Sequence, residues 1–585
     1  MTPAPGFVPY PFEFHRHAPP GPDVAAAGND AVVPVVIVGG GIAGLTLALA
    51  LAVQGTRSLV LEADDTVCTG SRAICFSRRS LEIFERLGVL GPMLAKGLPW
   101  TGGRSYYRNT EVLRFEMPND RRQKLPPMIN LQQYLVEAYL VEAIGRHAGL
   151  VELRWQSRVT GLVAGAGGDG PVELDVEQPG RSYRLRADWV VACDGGRSRL
   201  RDALGLKLEG TAYEGRYVVA DIALRCDLPT ERLAWFDPPS NPGSTLLMHR
   251  QPDDIWRVDY QIGDGEDAAA AVQPENVLPR VDAHLRMIGL GRAWSPIWIT
   301  LYKANALTLP RYRHGRVLFA GDAAHLVPIF GVRGANSTID DADNLAWKLA
   351  LVVAGRADPA LLDSYSDERV QAAHENLAYG RKSTQFMAPP DFAFRTMREA
   401  VLALAVETPA VRSLINPRQS SPVRYVDSPL NASREEGHGD EAQPEPAAGS
   451  VLPSCPVRWL DAADGERPGH LADMLQAGRF VVVHFAAEGP VPPAWRELQK
   501  QLLDECGVVL RTVSVRPGTD RSDADLRARD TDGDAAALHG ASPEAAILVR
   551  PDGHVLGRWE SAGGAPIGAA IRTCLAGGPG RLERA

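Results

Sequence analysis

One run constrains this chain more than any other. Ala31 to Val53 reads AVVPVVIVGGGIAGLTLALALAV. It is long and apolar enough to cross a membrane. Gly39, Gly40, Gly41, Ala43 and Gly44 interrupt its middle and favour another reading. The pattern predicts a buried strand over Val32–Val38, a tight turn, and a helix over Ile42–Gln54. Ser58–Glu62 reads as a second strand, so the three segments form one βαβ unit.

The turn is Gly39-Gly40-Gly41-Ile42-Ala43-Gly44, a G-x-G-x-x-G pattern. Gly39 allows the tight turn, Gly41 lets backbone approach a pyrophosphate, and Gly44 permits close packing of helix on strand. The helix N-terminus offers free N–H groups and positive partial charge to phosphates. Glu62 closes the next strand, where a carboxylate can accept hydrogen bonds from ribose hydroxyls. These residues predict dinucleotide binding, FAD or NAD. The plain alternative is a glycine-rich turn with a surface glutamate.

Three later stretches bear on the choice. Arg72, in GSRAICFSRRSLEIFERLG, can neutralise a pyrophosphate or stand as one solvated arginine among four. ADWVVACDGGRSRLR (Ala187–Arg201) is an apolar strand ending in Asp194-Gly195-Gly196, with Ser198 and Arg201 beyond. It reads as a site at a strand's carboxyl end, or as a simple strand-to-helix turn with an N-cap. FAGDAAHLVPIFGVRGAN (Phe319–Asn336) puts Asp322 at the end of an apolar run, His325 three residues on, and a glycine loop after that.

The chain has 585 residues, too many for one core at about 100–200 residues per domain. A net charge of −9 argues against nucleic acid as the main partner, because phosphate binding needs a basic face. Cys68, Cys75, Cys193, Cys226, Cys455, Cys506 and Cys574 are scattered and contain no CxxC pair. That indicates neither a metal site nor a disulfide framework, and points to the reducing cytoplasm. No signal peptide is visible and no membrane association is expected.

Along the chain, 1–30 reads as a flexible or surface-draped arm. Arg78–Leu87, Leu131–His147, Ala335–Ala354 and Leu361–Leu377 read as helices, with Ser337 and Asp340 as a capping-box-like start. From Val151 to Tyr302 short alternating stretches such as WRVDYQIG predict a large sheet. Ser428–Ser450 is polar and reads as a linker. Beyond it, Phe480–Ala486, Trp495–Cys506 and Val508–Val515 read as strand, helix and strand, and Ala546–Trp559 as a hairpin turning at Pro551-Asp552-Gly553.

G-x-G-x-x-G, then D-G-G-x-S-x-x-R, then G-D-A-A-H-x-x-P form an ordered set. On these motifs the chain resembles the single-component FAD-dependent aromatic hydroxylases, the group around para-hydroxybenzoate hydroxylase, from Val32 to about Val426. The tail resembles the thioredoxin-like C-terminal domain of the phenol hydroxylase subgroup, without CxxC. The resemblance implies a mixed α/β and α+β chain. A Rossmann-like FAD-binding domain would occupy 31–200, with a substrate-domain insertion near 100–125, and resume over 306–427 with helices. A mainly β substrate domain would occupy 201–305, a linker 428–450 and the thioredoxin-like domain 451–585.

The resemblance also assigns roles. Gly39, Gly41, Gly44 and Glu62 would hold the ADP part of FAD, and Arg72 would lie on the pyrophosphate side. Gln133 would contact the cofactor, with Gln132 as the rival assignment. Asp194 would belong to a motif shared by FAD and NAD(P)H, and Asp322 would bond the ribityl hydroxyls. Gly334, Ala335 and Asn336 would lie under the isoalloxazine, with Asn336 as the amide contact and His325 as a structural residue. Ile329 and Thr338 stand where the family often has proline and a small residue.

The activity implied is hydroxylation of a phenolic or other electron-rich ring through a C4a-hydroperoxyflavin, with NADH or NADPH and O₂ as co-substrates. The partner would be a small aromatic molecule, and the resemblance leaves room for a homodimer. Substrate-side candidates are His249, Arg257, Tyr260 and Tyr302. Arg257 and Tyr260 lie three apart in a strand, so at most one lines the pocket. Competing readings are an oxidase or dehalogenating hydroxylase on the same fold, and a flavin-bound redox sensor that uses its tail for contacts.

Overall fold

In the computed structural model the described residues are 6–21, 32–120, 122–165, 170–263, 265–415, 419, 421–432, 445–461, 465–486, 490–518, 522–561 and 563–578. Most of the predicted linker, 433–444, and the outer parts of the predicted arm, 1–5 and 22–31, lie outside them.

The first sheet runs in the order Arg313–His314, Val317–Phe319, Arg181–Ala192, Val32–Val38, Ser58–Leu61, Val151–Arg154. The five strands from Val317–Phe319 to Val151–Arg154 pair in parallel. Strands of this kind are covered on both faces, which is why Val35, Val36 and Ile37 are fully buried. The helix Ile42–Val53 is apolar all round and almost wholly buried, because the helices Gln133–Gly145 and Gly334–Val353 flank it.

The second sheet has eight strands. Their order is His325–Leu326, Ser295–Thr308, Glu209–Ala223, Ile255–Gln261, Thr245–Gln251, Arg232–Phe236, Gly102–Tyr107, Thr110–Glu116. One face packs on the helix Pro274–Met287 through Val218, Leu246, Met248, Val258 and Tyr260. The sequence pattern predicts a mainly β domain here and places no helix in it. Pro274, Pro279 and the polar residues between them obscure this helix, whose Val277, Val281 and Leu285 make the buried stripe. The opposite face, through Tyr217, Ala234, Phe236 and Leu247, packs on Ile329 and Phe330 of the glycine loop.

The third sheet, of seven strands, lies in the tail: Glu466–His470, Pro456–Leu460, Leu526–Arg529, Leu510–Arg516, Phe480–Phe485, Ala545–Val549, Val555–Trp559. Helices Pro493–Cys506 and Gly564–Leu575 pack against each other beside it. Phe480, Trp495, Leu548 and Ile567 join the same apolar cluster as the first sheet, so the tail shares its core with the body.

Candidate cofactor and substrate site

A cavity of about 460 Å³ opens at the carboxyl ends of the parallel strands. Gly39, Gly41, Glu62, Arg72, Gln133, Glu137 and Asp194 are among the residues lining it. Gly39 and Gly44 are there because nothing else fits, whereas a Cβ on Gly41 would meet only Glu137 Oε1, at 3.8 Å. A Cβ on Gly44 would meet the carbonyl oxygen of Gly39 at 1.9 Å, and one on Gly39 the carbonyl oxygen of Cys193 at 2.3 Å. Gly39 also holds φ at 111°. Glu62 accepts the Gly40 N–H at 2.5 Å and the Asp64 N–H at 2.8 Å. Burial pushes its carboxyl up, and these backbone bonds pull it back.

Arg72 is exposed towards the cavity with φ at 41°. Its carbonyl accepts Arg257 Nη1 at 2.5 Å, and the Ser71 hydroxyl meets the same guanidinium. Gln133 accepts the Ala73 N–H at 3.1 Å and donates to Glu137 Oε1 at 2.8 Å. Glu137 in turn accepts the Cys68 N–H at 2.7 Å. Gln132 is buried away from the cavity, with its Nε2 directed to the Pro252 carbonyl at 3.3 Å. Asp194 accepts the Leu200 N–H at 3.2 Å, and burial raises its carboxyl.

Asp322 sits in the turn Gly321–Ala323, at the end of the strand Val317–Phe319. Asp322 is exposed yet its carboxyl is surrounded by protein, and that desolvation raises its pKa; it is not among the residues lining the cavity. His325 bonds Asp341 Oδ2 at 2.7 Å, and the same carboxylate accepts the Gly321 N–H at 2.9 Å and Arg369 Nε at 2.6 Å. Asp341 and Arg369 therefore hold the turn that presents Asp322. Neither stands out in the sequence.

The helix begins at Gly334, not at Ser337, whose hydroxyl lies inside the helix and accepts from Arg369 at 2.9 Å. The capping-box expectation fails here because tertiary contacts set the start. The Asn336 side chain is fully engaged within the protein. Its oxygen accepts the Ser77 N–H at 2.8 Å and the Ser80 hydroxyl at 2.7 Å, and its nitrogen donates to the carbonyls of Val332 and Cys75 at 2.5 and 3.2 Å. Asn336 thus ties the glycine loop to the strand Cys75–Ser77. A Cβ on Gly334 would meet nothing within 4 Å, so that side of the loop is open, and Ala335 beside it is half-buried.

The substrate-side candidates separate by face. Tyr260 lies on the helix-covered face, with the Arg280 guanidinium 5.5 Å from its ring. Tyr302 is on the loop-facing side and donates to the Val327 carbonyl at 3.1 Å. Arg257 is buried on that side too, but pairs with Asp221 at 3.4 Å and holds the Ser71–Arg72 segment. His249 stands across from Arg257 with Nδ1 unbonded, and burial pushes its imidazole down to about 3. Asp259, which the sequence reading passed over, projects from the same face two residues beyond Arg257. Its Oδ1 lacks a hydrogen bond, and burial pushes its carboxyl up to about 7 against the pull of Arg257. Alternation in WRVDY is the signal that pairs Asp259 with Arg257.

The cavity geometry fits FAD: Gly39 and Gly44 admit no Cβ, Gly41 leaves backbone open towards the cavity, and the carboxylates of Glu62 and Asp194 line it at the ends of two parallel strands. A family model described as an FAD binding domain matches residues 32–379. The chain belongs to this family, the flavin-dependent aromatic-ring hydroxylases. It is 32% identical over 417 residues to a 3-(3-hydroxy-phenyl)propionate/3-hydroxycinnamic acid hydroxylase of Mycobacterium avium (strain 104), covering 69% of each chain. It is 29% identical to a 6-methylpretetramide 4-monooxygenase of Streptomyces rimosus, covering 92% of this chain and 93% of that one. Among solved structures, the flavin-dependent monooxygenase PieE in complex with FAD and substrate superposes with a TM-score of 0.77 at 25% identity, covering 93% of this chain and 99% of that one. Among the described residues no helix is long and apolar enough to cross a membrane.

Proposed function

We propose that this protein hydroxylates a phenolic ring. The overall reaction consumes the phenol, NAD(P)H, a proton and O₂, and yields the ring with one further hydroxyl, NAD(P)⁺ and water. FAD held in the cavity would supply the redox chemistry, passing the nicotinamide's electrons to O₂, from which the ring takes its oxygen atom. The chain's own residues bind, orient and move protons. Gly39, Gly41, Gly44, Glu62, Arg72, Gln133 and Asp194 hold the adenosine and pyrophosphate side, and Asp322 takes the ribityl hydroxyls. Gly334 and Ala335 admit the ring system.

One observation carries the phenol reading. Asp259 is a buried carboxylate on the sheet face turned to the glycine loop; its Oδ1 accepts no hydrogen bond and lies 3.9 Å from Arg257 Nε. A phenol is a poor nucleophile until it loses its proton, and its pKa is about 10 in water. A base with a pKa near neutrality on that face can accept the proton as oxygen is transferred. One relative is named for 3-(3-hydroxy-phenyl)propionate and 3-hydroxycinnamic acid, whose rings carry such a hydroxyl.

The test is an oxygen-electrode assay on the FAD-loaded protein with NADH or NADPH and a panel of phenols and phenolic acids. Uptake that rises with one ring compound, and that catalase does not return, is the expected result. Uptake returned by catalase would indicate an oxidase, and a yellow protein with no ring-stimulated uptake a sensor.

A further inference from the structure

The loop-facing side of the large sheet holds a cation that the fold leaves without a counter-charge. Arg232 is 3% exposed. Among the described residues its guanidinium makes no ion pair or hydrogen bond, and the ionisable group that most favours its charge is the Cys75 thiol. That thiol is itself held protonated, since burial pushes it up to about 12. Arg257, Arg369 and Arg550 are equally buried, and each has a carboxylate partner. An unpaired buried cation costs several kcal/mol, a cost that folds keep where a ligand supplies the opposite charge.

Its position is set by register. Leu233 pairs with Met248, so Arg232 stands beside His249, and His249 pairs with Arg257. On its other side Arg232 pairs with Gly103, which has no side chain. A Cβ on Gly103 would meet the Phe115 ring at 2.8 Å and Arg232 Cβ at 3.0 Å. Phe115, Trp100, Cys75 and Val332 form one apolar cluster, and the Trp100 and His249 rings lie 6.5 Å apart. The surroundings of Arg232 are therefore flat apolar walls, a neutral imidazole with a free nitrogen, and the glycine loop.

We propose that Arg232, assisted by His249, anchors a carboxylate carried by the aromatic substrate, so that the enzyme selects phenolic acids over neutral phenols. This rests on the hydroxylase reading and names its substrate class. A guanidinium suits the role because its fork bonds both carboxylate oxygens at once. Asp259 lies two strands across and one row along on the same face. At ~4.8 Å per strand and ~6.8 Å per row, its backbone stands about 12 Å from that of Arg232. A single ring with a short acid side chain spans what the two side chains leave of that gap. The anchor would hold the acid end while Asp259 meets the hydroxyl.

The test is a binding measurement without turnover. FAD-loaded protein is titrated with 3-phenylpropionate, which has no ring hydroxyl, and with its primary amide, reading the flavin absorbance change. The wild type is expected to bind the acid at least about thirtyfold tighter than the amide, the range of a charge-assisted pair. Arg232→Gln should weaken the acid about a hundredfold and leave the amide within threefold, and Arg232→Lys should recover part of the loss. Equal wild-type affinity for acid and amide would overturn the proposal, and that comparison needs no variant to fold. Equal weakening of both by Arg232→Gln would overturn it too, as would failure of the acid to perturb the flavin at all. Oxygen uptake plays no part, so failure of the hydroxylase reading is registered separately.

Discussion

Arg550 donates to both oxygens of Glu368, at 2.6 and 3.0 Å, and neither side chain has any exposed surface. Arg550 comes from the hairpin of the tail, and Glu368 from the helix Leu361–Met387 of the body. Lys348 adds a bond to Glu368 at 2.7 Å. The hairpin tip also reaches the glycine loop's support. Arg79 donates to the Asp552 carbonyl at 2.7 Å and to Asp343 at 2.9 Å, one residue before the Ser80 that holds Asn336.

Arg550→Met is therefore expected to destabilise the whole protein, not the tail alone. Removing one partner of a buried pair typically costs about 3–5 kcal/mol, because the other charge stays buried. Lys348 remains beside Glu368, but the buried Asp552, 2.5 Å from Arg550, loses its cation as well, so the cost is expected within that range. Urea unfolding would show it, with tail and body losing structure in one transition. A loss under about 1 kcal/mol would mean that the pair does not join the units.

The pH dependence of turnover reports on Asp259. Its pKa is raised to about 7 by burial, so it is ionised and able to take a proton above that pH, and protonated and idle below it. The rate constant kcat/KM is expected to fall as pH drops through 7. Around it face Arg257, Asp221, His249, Arg232 and the Cys75 thiol, and the imidazole is already neutral throughout this range. Asp259→Asn should lower kcat by about 10²–10⁴-fold and remove the acidic limb. An unchanged limb in that variant would assign the titration elsewhere.

The cradle tolerates no side chain at Gly44. Gly44→Ala places a Cβ at 1.9 Å from the Gly39 carbonyl oxygen, a clash with backbone, and at 3.1 Å from the Ile37 side chain. Strand and helix must part, at a cost of about 1–3 kcal/mol. The purified variant is expected to be colourless. A yellow protein with normal FAD content would show that the turn relaxes more easily than its packing indicates.

The N-terminal segment covers this side of the molecule. Tyr10 donates to Asp221 at 2.6 Å, the Tyr10, Phe12 and Phe14 rings pack around Tyr134, and Arg16 bonds Asp65 at the cavity rim. Deleting residues 1–21 should leave a folded protein that binds FAD about tenfold more weakly, on the order of one lost hydrogen bond. Release of FAD fluorescence on dilution measures it. Unchanged affinity would make the segment a cover with no bearing on the cofactor.

How much of this was legible in the chain depends on range. The strand Val32–Val38, its glycine turn and the helix after it follow from local rules of periodicity and steric allowance, and so does the placement of Asp322 at a strand's end. Arg257 and Tyr260 divide between two faces by simple alternation. The engagement of the Asn336 side chain was not legible, because its partners lie on a strand some 260 residues earlier.

The sequence by itself determined the class of cofactor, the order of the segments and the chemistry on offer, since each rests on residues close together in the chain. Only the tertiary structure decided how far each buried polar group is satisfied. Arg232, His249 and Asp259 come together through strand pairing, and whether a buried charge is satisfied depends on every neighbour at once. The same holds for Arg550 and Glu368, 182 residues apart, whose pairing exists only because the tail packs on the body.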